Sequence, residues 1–151
     1  MLLVTHALIG AAIGKNINNP LIIIPVSLAS HYVLDMFRHG DYIDKNLNLK
    51  GNDWKVSLDL FSAFLAIFLL VYFKNFSQAE IKNILIGAFF SLLPDSFTFL
   101  YWKFKLKILK ALYELHTWVH EYFNPEEIEF SLKNSLNDIL FSAIAIVFLL
   151  I

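Results

Sequence analysis

Twenty residues, WKVSLDLFSAFLAIFLLVYF (54–73), run almost without a polar break. A helix rises about 1.5 Å per residue, so this one is about 30 Å long, the thickness of a bilayer's hydrocarbon core. It is the best transmembrane segment of the chain. A backbone in lipid must satisfy its own polar groups, which a helix does. Composition points the same way. Apolar residues make up 58% of the chain and charged residues 17%, with a mean hydropathy of +0.60. Soluble domains lie nearer about 45–50% and about 25%. The 151 residues are the length of one domain. The expected architecture is all-α: a single helical membrane domain over residues 1–151, a bundle of about five or six helices.

Several function classes fall away early. The net charge of −1 offers no basic field, so no nucleic-acid partner is expected. There is no cysteine, which removes disulfides, thiolate metal sites and cysteine nucleophiles. No GxxxxGK[ST], GxGxxG or GxSxG pattern occurs, so phosphate-cradling loops and a serine-hydrolase elbow lack support. The apolar N-terminus has no basic lead and no small-residue cleavage site, and reads as a retained helix.

The first apolar stretch is LLVTHALIGAAIG (2–14), in which His6, Gly10 and Gly14 recur every four residues and share one face. Two small residues there allow close approach of another helix. Asn19-Pro20 reads as N-cap then first helical position of a second helix, about 20–38. Ser77 and Glu80 form a capping box that opens a fourth helix running to about Trp102, bent or broken at Pro94. Residues 103–123 read as an amphipathic fifth helix that opens with Lys103, Lys105, Lys107 and Lys110. Such a helix suits an anionic membrane surface, and its lysines mark the cytoplasmic side. A last apolar run, about 135–151, can span or anchor.

Against this greasy background the polar groups stand out. His6 lies near the start of helix one, and His31, Asp35 and His39 near the end of helix two. Asp59 sits one turn into helix three and Asp95 near the end of helix four. With alternating spans all reach the same membrane face, where His116 and His120 of helix five join them. His31, Asp35 and His39 are spaced i,i+4, as are His116 and His120, and two ligands one turn apart can grip one ion. Unpaired aspartates in lipid are costly, about 2.5–3.5 kcal/mol each at the bilayer centre, and a cation turns their repulsion into binding. Imidazole and carboxylate without thiolate suit a catalytic Zn²⁺ site, with Mn²⁺ or Fe²⁺ as alternatives. Each element alone also has a plainer reading. HxxxD can be a hydrogen-bonded pair, Asp95 a cap after Pro94, Asp59 a partner for Lys55, His6 a packed polar group and Asp41 a turn residue.

Thr5-His6, Ser30-His31 with Asp35, Leu93-Pro94-Asp95 and the pair His116/His120 together give the chain a resemblance to a family of membrane-bound, metal-dependent hydrolases, the YdjM-like family. That family is grouped with zinc-dependent phospholipase C and the P1-type nucleases. The resemblance implies an all-helical fold, two or three zinc ions held by His and Asp, and hydrolysis of a phosphodiester or phospholipid.

The resulting expectation is a membrane-bound metal-dependent hydrolase acting on a phosphoester or phospholipid through metal-activated water. His6, His31, Asp35, Asp95, His116 and His120 would hold the metal. Asp59 or Asp41 would orient or deprotonate the water, and His39 would complete the shell or assist the leaving group. The protein would be integral to, or tightly held on, the cytoplasmic membrane, with its site facing the cytoplasm and membrane lipid as its partner. The alternatives are a metal-ion or proton transporter and a non-catalytic membrane protein with a structural metal.

Overall fold

Helix α1 (Leu3–Asn16) is only 14 residues long, yet it packs against four other helices. Its small side chains make that possible. Ala7, Ala11 and Ala12 are buried on one side, and Gly10 and Gly14 on another. A Cβ added to Gly10 would lie well inside contact distance of the Gly87 carbonyl, and one on Gly14 would meet the backbone of Asn83. The His6–Gly10–Gly14 face is therefore the one on which the fourth helix lies, running antiparallel to α1. Two helix glycines weaken an isolated helix by about 0.5–1 kcal/mol each. Backbone-to-backbone packing offsets that here.

The structure, a computed structural model, describes residues 1–40, 53–125 and 130–151. Among these residues the secondary structure is helical, without strands. After α1 come α2 (Pro20–Asp35), α3 (Asp53–Phe73), α4 (Gln78–Phe104), α5 (Lys110–Phe123) and α6 (Leu136–Leu150). A 3₁₀ turn, Lys107–Leu109, leads into α5.

Helix starts follow the sequence closely. The Asn19 side chain accepts the Leu21 amide at 3.0 Å, with Pro20 in the first turn of α2. Ser77 and Glu80 close the expected capping box at α4. Helix ends differ. Helix α2 stops at Asp35 rather than near residue 38, and Met36 and Phe37 close it as a turn. Pro94 does not break α4, which continues unbroken to Phe104. The lost N–H costs one bond in the ladder, and packing against α1, α2 and α5 holds both halves in line. The expected fifth helix is shorter than 103–123. Lys105 adopts a left-handed conformation (φ 51°) that terminates α4, and α5 begins only at Lys110. It then doubles back on α4, so that Tyr113 stacks on Tyr101 with ring centres 4.5 Å apart.

Among the described residues two helices are long and apolar enough to cross a membrane, Trp54–Phe73 and Gln78–Phe104. Much of their apolar surface faces outward. Phe61, Phe64 and Phe68 project from α3, and Phe89 from α4. Helix α6 runs parallel to α1, with Asp138 beside Leu2 at one end and Asn16 bonded to the Phe148 carbonyl at the other. The starts of α1, α3 and α6, the end of α2 and the Pro94 region of α4 thus meet at one end of the bundle.

Candidate metal centre

The last turn of α2 supplies His31 and Asp35, spaced i,i+4 and both fully buried. One oxygen of Asp35, Oδ2, has three imidazole nitrogens around it: His31 Nε2 at 3.0 Å, His116 Nε2 at 3.3 Å and His120 Nε2 at 3.3 Å. None of them makes an aligned hydrogen bond to it. The other oxygen, Oδ1, is 3.1 Å from His6 Nε2 and accepts from the amino group of Met1 at 2.9 Å. Asp95, from the turn after Pro94 in α4, brings Oδ1 to 3.3 Å from His116 Nε2 and 3.8 Å from His31 Nε2.

The outer nitrogens decide what the inner ones can do. His31 Nδ1 donates to the Ser91 carbonyl at 2.7 Å, and His39 Nδ1 to the Phe37 carbonyl at 2.7 Å. A carbonyl oxygen only accepts, so the proton of each neutral ring sits on Nδ1, and Nε2 turns a lone pair inward. Ser91 lies in the turn before Pro94, which has no amide to give the neighbouring Phe90 carbonyl. His116 Nδ1 is 3.0 Å from the Thr98 hydroxyl. Imidazoles held this way by outer partners are the usual arrangement of metal-binding histidines.

Lone pairs and carboxylate oxygens converging in a buried site repel unless a proton or a cation lies between them. His116 reflects this tension. Burial pulls its pKa down, but the approach of the Asp35 and Asp95 carboxylates outweighs burial and holds it at about 9.

Among the described residues three overlapping groups have ligand atoms within 4.8 Å of one another and could hold a metal ion: His6/His31/Asp95, His31/Asp35/His116 and Asp35/His39/His120. His31 and Asp35 each belong to two of them. Most of the cluster is sealed from solvent. Asp95 and His120, whose side chains are 26% and 24% exposed, form its open edge.

The six residues expected as metal ligands, His6, His31, Asp35, Asp95, His116 and His120, are all brought together. His39 joins them by another route than expected. It is not on the helical ladder with His31 and Asp35, because α2 has ended. The chain turns after Asp35 and returns His39 toward His120, with ring centres 5.2 Å apart. Asp59 does not join the cluster. Its Oδ2 accepts the Leu3 amide at 2.7 Å and its Oδ1 the Val4 amide at 3.0 Å, so it caps α1 from α3. Asp41 lies outside the described residues.

Asp138 is the residue the sequence reading missed. It is buried at the start of α6, where its Oδ1 accepts the Leu2 amide at 2.8 Å and the Thr5 hydroxyl at 3.1 Å. Asp59 and Asp138 together bind the amides of Leu2, Leu3 and Val4, which an N-terminal turn leaves without helical partners. The available signal was an acid at the mouth of an apolar run, the same signal that drew attention to Asp59. Thr98 was also missed, and nothing in its spacing marks it. No protein-family model matches the chain, and no curated protein or solved structure matches it.

Proposed function

We propose that the protein is a membrane-embedded, metal-dependent hydrolase of the YdjM-like kind, acting on a phosphoester such as a phospholipid. The observation that carries this reading is Asp35 Oδ2, a buried carboxylate oxygen ringed by three imidazole nitrogens without an aligned hydrogen bond. His31, with Nδ1 tied to a carbonyl, can present only a lone pair to it when neutral. That donor set fits a divalent cation, and nitrogen and oxygen ligands without sulfur favour zinc. Asp35 faces ligands on both of its oxygens, which suits a carboxylate shared between two ions.

A divalent ion held here would act as a Lewis acid on a phosphoryl oxygen and lower the pKa of a nearby water. The chain's own groups supply the rest. Asp95 reaches the cluster with Oδ1, and its Oδ2 has no hydrogen-bond partner among the described residues. That oxygen takes over the proton-accepting role expected of Asp59, whose oxygens are engaged by α1 amides. His39 and His120 complete the shell on the side of the open edge, where substrate would enter between Asp95 and His120.

The outward apolar faces of α3 and α4 support a membrane setting. The cluster gathers where α1, α3 and α6 start and α2 ends, which favours a site at one membrane face, with the lysines after α4 placing that face in the cytoplasm. An ion carrier needs polar groups near the midplane and access from both sides. The gathering of ligands at one end favours the hydrolase over that alternative.

The test is hydrolysis of a chromogenic phosphodiester and of phospholipid by detergent-purified protein, compared with Asp35→Ala and Asp95→Asn. Metal-dependent turnover in the wild type, reduced at least about 100-fold in both variants, is expected. Turnover that is absent from metal-loaded wild type, or equal in the variants, overturns the reading.

A further inference from the structure

We infer that the turn joining α4 to α5 is an anchor for anionic phospholipid headgroups, and that it fixes the level from which α5 folds back onto α4. The inference rests on the membrane part of the proposed function and is independent of hydrolysis.

Four of the chain's 12 cationic side chains, Lys103, Lys105, Lys107 and Lys110, fall within eight residues. All four are exposed. Only Glu114, 3.4 Å from Lys110, supplies an acid between residues 101 and 120. The density of charge is not what distinguishes this segment from an ordinary solvated surface. Between the lysines stand Phe104, Leu106 and Ile108, also exposed, with Ile108 at 87%.

Ammonium and apolar tip alternate from Lys103 to Ile108, before the half-buried Leu109 and then Lys110, and such interleaving suits a boundary between water and lipid. The apolar tips enter the acyl edge while the lysine stems lie along it and lift their charges to the phosphates. A polyanion in water, such as nucleic acid, would leave Leu106 and Ile108 exposed. The segment's backbone allows this. The left-handed Lys105 ends α4, and the 3₁₀ turn that follows lets neighbouring side chains diverge rather than share a helix face. Lys103 lies over the rings of Phe99 and Phe104 at 5.4 and 5.7 Å, and Lys105 over Tyr101 at 5.8 Å, so charge and aromatic surface occupy the same level. The turn is continuous with α4, which is long and apolar enough to span. His116 lies six residues beyond Lys110 on α5, about 9 Å along the helix. An anchored headgroup would thus lie within a lipid's width of the metal ligands.

The test uses the full chain in lipid nanodiscs, in buffer containing chelator so that metal plays no part. Trp54→Phe and Trp118→Phe leave Trp102 as the single tryptophan beside the turn. Its quenching is measured with acyl-brominated phosphatidylglycerol and, separately, acyl-brominated phosphatidylcholine at equal mole fraction. The expected result is an apparent enrichment of the anionic lipid of about threefold or more, lost in half-molar salt, where the Debye length is about 4 Å. The preference should also vanish in the Lys103→Gln/Lys105→Gln/Lys107→Gln/Lys110→Gln variant and persist in Lys15→Gln/Lys74→Gln. Equal quenching by both lipids, or a preference unchanged in the fourfold variant, overturns the anchor while leaving the membrane reading intact. Equal quenching with retention of the chain on heparin would assign the lysines to a soluble polyanion instead. Quenching by neither lipid overturns the anchor and the membrane reading together.

Discussion

Asp35 holds the centre of the site through both of its oxygens, and its neighbours are held in turn by groups that never face the centre. Thr98 is the clearest of these, because its hydroxyl is 3.0 Å from His116 Nδ1. Thr98→Val keeps the side chain's shape and removes only that bond. It should weaken metal affinity about 10- to 100-fold without changing helical content, as competition with a chromogenic chelator would measure. The protonation of His116 gives a second expectation. With its pKa held at about 9 in the metal-free chain, the ring carries a proton at neutral pH, and an entering ion must displace it. Affinity should therefore rise with pH, about tenfold per unit between pH 6 and 8 for one displaced proton. A flat profile over that range would show that His116 is not a ligand. At this scale the sequence was informative wherever a residue type is costly in an apolar setting. His6, His31, Asp35, Asp95, His116 and His120 were found that way. His39 was found through a helical spacing that the fold does not use, since nothing in Met36-Phe37-Arg38 disfavours continuing the helix.

Among the elements, α1 depends most on its neighbours. Its glycine face requires near-contact with α4, and its first turn requires two carboxylates from other helices. Gly10→Val should destabilise the fold by about 3 kcal/mol or more, read as a fall in melting temperature in detergent, because the Gly87 backbone cannot yield locally. Asp138→Ala should cost about 1–2 kcal/mol, since it removes the acceptor of the part-buried Leu2 amide and one partner of the Thr5 hydroxyl, which keeps Ser142 at 3.1 Å. The four-residue recurrence of His6, Gly10 and Gly14 made the α1–α4 face legible. The Asp138 cap was not legible, because an acid in the first turn of a helix is equally at home facing solvent and its own helix dipole. Which of the two it does depends on where another helix begins. Pro94 is the converse case. The local rule forecasts a bend or a break, and with packing on three sides the helix runs on without a break.

For the whole molecule, the sequence specified an all-helical chain and the convergence of its polar groups at one end of the bundle. It left the folding back of α5 unresolved, because that depends on a single left-handed residue, Lys105, with no glycine to announce it. The fold-back is what carries His116 and His120 to Asp35 rather than along a membrane surface away from it. Whether that assembly binds metal is the central question. Metal content of detergent-purified protein, prepared without chelator or affinity metal, tests this most directly when wild type and Asp35→Ala are compared. The expected result is about one or more equivalents of a divalent transition metal in the wild type and less than about a tenth of that in the variant, with unchanged helical circular dichroism. Metal-free wild type, or equal metal in the variant, would contradict it.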